Sequence, residues 1–69
     1  MWICDQGGIT RQLETFWLHG DTIRMEVDGK PIPIPIYTGH DVEAVLVALK
    51  EALARDENFF DVNQPEYVP

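Results

Sequence analysis

Residues 22–37 read Thr22-Ile23-Arg24-Met25-Glu26-Val27-Asp28-Gly29-Lys30-Pro31-Ile32-Pro33-Ile34-Pro35-Ile36-Tyr37. An alternating apolar run meets an Asp-Gly pair, and a second alternating run follows in which proline fills every other place. Asp28-Gly29 is a type I′ hairpin signal, because both central positions of that turn need positive φ. A two-residue turn there pairs Val27 with Lys30, Met25 with Ile32 and Ile23 with Ile34. The apolar partners then share one face, and Thr22, Arg24 and Glu26 take the other, opposite Pro35, Pro33 and Pro31. Residues flanking such a turn form a hydrogen-bonded pair, and the pattern alternates from there. Ile32 and Ile34 therefore aim their N–H groups at the partner strand, and the prolines occupy positions whose N–H would point away. The second strand is expected to be a sheet edge, closed to further pairing by its missing donors.

A helix follows. Val42, Val45, Leu46, Leu49 and Leu53 recur at helical spacing and make one apolar stripe. Thr38 and Asp41 resemble a capping box, with Asp in place of the usual Glu. Asp41 and Glu43 near the start, with Lys50 and Arg55 near the end, suit the macrodipole. The helix is expected from about Gly39 to Arg55.

Upstream, Gln12 to Leu18 reads as a strand that turns at Gly20-Asp21 or at His19-Gly20-Asp21. Met1 to Asp5 reads as a short strand before a Gly7-Gly8 turn. The fold class is α+β: an antiparallel meander of three to four strands, then one amphipathic helix packed on one sheet face. Residues 1–55 make this single domain. Residues 56–69 form an acidic tail with aromatic anchors, either packed back on the domain or used to dock on a partner.

Twelve acidic residues against five basic ones give a net charge of −7. That balance disfavours direct contact with nucleic acid, which needs cations facing phosphates. A 45% hydrophobic and 25% charged composition fits a globular domain. No apolar run reaches the length of a membrane span, and no basic-then-apolar start marks secretion, so a cytoplasmic location is expected. A chain this short buries only about 60% of its unfolded surface. Cys4 is the single cysteine and cannot make an internal disulfide, so docking on a protein partner or on a second copy is the expected source of extra stability.

His19, His40 and Cys4 lie in no ligand spacing, so neither a metal site nor a cysteine nucleophile is expected. Gly7-Gly8 lacks the spacing and the lysine of a phosphate loop. No cofactor is expected, and no enzymatic activity.

The aromatic residues carry more information. Phe16 and Trp17 are adjacent in a strand and must face opposite sides. With a Gly20-Asp21 turn, Phe16 and Leu18 join Ile23 and Met25 under the helix, and Leu13 and Trp17 stay outside. With a three-residue turn the roles swap. Leu13, Phe16, Trp17, Phe59, Phe60 and Tyr67 are thus the candidate partner-binding residues, and Asp21, Asp28, Asp56, Glu57, Asp61 and Glu66 the candidate acidic surface. The expected function is a non-catalytic protein-binding or regulatory module: an inhibitor, an adaptor or an accessory subunit. Two alternatives are a nucleic-acid-mimicking inhibitor of phage type, directed at a basic groove, and a small structural protein active as a homo-oligomer.

Overall fold

The computed structural model describes residues 1–27 and 31–64. Strand β1 (Trp2–Cys4) pairs antiparallel with β2 (Thr10–Gln12). Strands β3 (Phe16–His19), β4 (Thr22–Met25) and β5 (Ile34–Thr38) form an antiparallel meander. Helix α1 (Val42–Ala54) follows, and β6 (Phe59–Asp61) returns to lie parallel to β1. The α+β class and the helix on an antiparallel sheet of three strands agree with the sequence. The strands divide, however, into two sheets, ordered β2-β1-β6 and β3-β4-β5. The expected strand over Gln12–Leu18 is split, with β2 ending at Gln12 in the first sheet and β3 opening at Phe16 in the second.

Ile3 of β1, Ile23 and Met25 of β4, Ile36 and Tyr37 of β5, and Phe60 with Val62 at the chain's return form one buried cluster with the helix. The helix contributes Val42, Val45, Leu49 and Ala52. The spacing is that of one helical face. Ala52 takes the place expected for Leu53, which is exposed, because the small side chain lets the last turn sit close to the strands.

The hairpin register departs from the simplest reading. Met25 stands opposite Ile34 rather than Ile32, and among the described residues 26, 27 and 31–33 lie outside the ladder; the Asp28-Gly29 turn itself falls outside the described residues. Between Arg24–Pro35 and Ile23–Tyr37 the register slips by one residue. This bulge has a reason in packing. Strict alternation would send Ile36 and Tyr37 to opposite faces, yet both are buried in the core. The extra residue turns both inward, and the expected pairing of Ile23 with Ile34 gives way to Ile23 with Tyr37.

The edge character of β5 survives this shift. Glu26 N donates to Thr15 O across the β3–β4 pair, so by alternation Ile23 and Met25 face β5 with their own peptide groups. Ile34 opposite Met25 then turns inward, and Pro35 takes the outward position, where no donor is needed. The outer edge is closed by Gln6. Its backbone N–H donates to Ile36 O at 2.9 Å. Its side-chain amide behaves like a neighbouring peptide, donating to Thr38 O at 2.9 Å and accepting from Thr38 N at 2.9 Å. These bonds join the two sheets.

Thr38 is therefore a strand residue, with its hydroxyl 3.0 Å from that of Thr22, and not part of a capping box. Asp41 is the N-cap and makes no side-chain cap bond. No basic residue lies in the last turn, and Arg55 is the C-cap. Glu57 N bonds Ala52 O and Asp56 N bonds Leu53 O, both at 3.0 Å, which is a Schellman closure. Its left-handed position is held by Asp56 at φ 60°, where glycine is the relaxed choice. Asp56→Gly is expected to stabilise the chain by about 0.5–1 kcal/mol, raising the melting temperature by a few degrees in a thermal scan; an unchanged midpoint would mean that the terminus frays.

Candidate functional site

Two sheet faces point away from the core. In the second sheet His19 pairs with Thr22, so the β3–β4 turn is the two-residue Gly20-Asp21, with Gly20 at φ 65°. Phe16 then stands beside Met25 and Leu18 beside Ile23 on the core side. Phe16 is half-buried and packs on the core, and Leu18 remains exposed at its periphery. Trp17, Arg24 and Pro35 form a row across the opposite face. Trp17 and Arg24 are half-buried, and Arg24 Nε is buried with no hydrogen-bond partner among the described residues. An arginine stem flanked by an aromatic ring and a proline buries its middle in this way while the charged end reaches water. Leu13, expected beside Trp17, packs on the core instead, because its N–H is tied to Met1 O at 2.8 Å in the first sheet.

The first sheet has the more exposed outer face. Trp2 lies directly opposite Phe59 and Cys4 opposite Asp61. Trp2 and Phe59 are each 51% exposed, whereas their neighbours Ile3 and Phe60 turn into the core. Phe60 is thus a core residue, and β6 is a strand of the first sheet. Tyr67, Asp28 and Glu66 lie outside the described residues. Trp2 joins the candidate residues only through the β1–β6 register, which no local pattern announces.

The remaining acids serve local ends. Asp21 accepts from the Thr22 hydroxyl at 3.3 Å. Glu57 pairs with Arg55 at 2.9 Å. Asp61 accepts from Asn63 N at 2.8 Å. Asp56 holds the helix closure. The one acid buried among the described residues is Asp5. Its Oδ1 accepts from Gly7 N and Ile9 N, both at 3.0 Å, and its Oδ2 takes Arg11 Nε at 3.2 Å. Asn63 Nδ2 reaches Asp5 O at 2.7 Å and so ties the end of β6 to this turn.

Cys4 is half-buried, with Sγ 3.7 Å from Asp5 O and 3.9 Å from Asn63 Nδ2. His19 and His40 are exposed. Among the described residues no three His, Cys, Asp or Glu side chains gather where they could hold a metal ion, and no helix is long and apolar enough to cross a membrane. No protein-family model, curated protein or solved structure matches the chain.

Proposed function

We propose that this chain is a non-catalytic protein-binding module that docks through the outer face of its first sheet, with Trp2 and Phe59 as anchors. The observation that carries this reading is the aromatic pair itself: two large rings, side by side on adjoining strands, each half exposed. Aromatic residues at the centre of an interface supply much contact area at low entropic cost, and a few such anchors dominate binding energy. The strong negative charge of the chain favours protein over nucleic acid as the partner. The Trp17–Arg24–Pro35 row is a second apolar-aromatic surface, but its tryptophan is already partly covered.

The test is affinity capture with the intact chain and with Trp2→Ser/Phe59→Ser, at low and high salt, after circular dichroism confirms that both fold. A protein retained by the intact chain at high salt and lost from the double variant supports the reading, since an apolar contact resists screening. Retention by both chains, or release by salt alone, overturns it.

A further inference from the structure

Between β2 and the outer edge of β5 lies an open crevice of about 380 Å³, within the usual range for small-ligand sites. Its walls are mainly apolar, with Ile9 on one side and Ile34, Pro35 and Ile36 on the other. Arg11 lines it and also lines an adjoining crevice of about 390 Å³ beyond Ile34. We infer that the β2–β5 crevice binds an aliphatic carboxylate, with the carboxylate on the free edge of the Arg11 guanidinium and the alkyl chain along Ile9, Ile34 and Ile36.

Asp5 is buried, and its carboxylate is occupied by two backbone N–H groups and Arg11 Nε. The turn therefore fixes the carboxylate, and the carboxylate fixes one edge of the guanidinium. Among the described residues neither terminal nitrogen of Arg11 has a hydrogen-bond partner, and the side chain is 34% exposed. A guanidinium bound through Nε keeps two terminal nitrogens, a fork that matches a carboxylate. The crevice thus offers one preoriented cation at the side of an apolar channel.

The ligand class follows from the other wall. Pro35 has no N–H, and Gln6 already occupies Ile36 O and both backbone groups of Thr38. A peptide laid here would desolvate its own N–H and C=O groups against an edge with little to offer them. An alkyl chain carries no such groups. The site stands apart from the aromatic face of the first sheet, so either reading survives failure of the other.

The test is a titration of the ¹⁵N-labelled chain with sodium octanoate, with octanol and with N-acetyl-isoleucyl-valine, followed by amide and Arg11 Nε–H shifts. Octanoate is expected to give saturable shifts at Gly7, Ile9, Arg11 and Thr38, and octanol to bind at least about tenfold more weakly, because it forgoes the charge-assisted bonds. Ile9→Glu, at an exposed position, is expected to abolish the octanoate shifts and leave the rest of the spectrum in place. Arg11→Lys, which keeps a cation beside Asp5, is expected to weaken octanoate about tenfold by losing the fork. Three results would overturn the inference: no saturable shift, octanol binding as tightly as octanoate, or Ile9→Glu binding unchanged. Tighter binding of the dipeptide than of octanoate would overturn the small-molecule assignment in favour of a peptide carboxyl terminus.

Discussion

Asp5→Ala is expected to cost about 2 kcal/mol of folding stability, because it removes the one buried acceptor shared by two backbone N–H groups and a guanidinium. The Gly7 and Ile9 N–H groups and Arg11 Nε all converge on this one carboxylate. The same turn carries Gln6, which closes the edge of β5, and it receives Asn63 from the end of β6. Loosening it therefore weakens the junction between the sheets as well as the β1–β2 hairpin. Asp5→Asn keeps one acceptor oxygen but sets an NH₂ group against donors, so it is expected to cost less than alanine without being neutral. Urea denaturation of the three chains checks both points. Equal midpoints for all of them would mean that the backbone bonds Asp5 N to Ile9 O and Gly8 N to Asp5 O hold the turn unaided.

What was legible in the sequence was mostly local. The apolar stripe predicts α1. The sequence leaves a two- or a three-residue turn open after β3, and only the observed pairing of His19 with Thr22 sends Trp17 outward and Phe16 inward. Proline at alternate positions marks β5 as an edge. Asp two residues before Gly7 is an Asx-turn pattern, but nothing local sets Asp5 apart from the other eleven acids. Other features depend on contacts between distant residues. The bulge at Ile36 answers to the demand of the core for two adjacent side chains. Gln6 as an edge cover has no local signature. The parallel pairing of β1 with β6 joins opposite ends of the chain, and a three-residue strand such as Phe59-Phe60-Asp61 carries too short a pattern to announce a partner. The Trp2–Phe59 pair exists only through that pairing, which is why Phe59 was a candidate from sequence and Trp2 was not.

Phe60→Ala and Phe59→Ala are expected to part sharply although the two residues are adjacent. Phe60 is 6% exposed and sits in the core with Ile3 and Val62, so its truncation leaves a cavity and should cost about 3–5 kcal/mol. For a domain whose whole stability is of the order of 5 kcal/mol, that leaves a substantial unfolded fraction at 37 °C. Phe59, on the opposite face of the same strand, should cost no more than about 0.5 kcal/mol. Thermal melts followed by circular dichroism distinguish the two. If both substitutions were nearly neutral, the segment after the helix would be an appendage and β6 would contribute nothing to the first sheet. If both were severe, the outer face would be covered in the isolated chain, and Phe59 could not be a docking anchor. The expected pattern, a fold that needs Phe60 and tolerates loss of Phe59, leaves one face of a three-residue strand holding the domain together and the other free to bind.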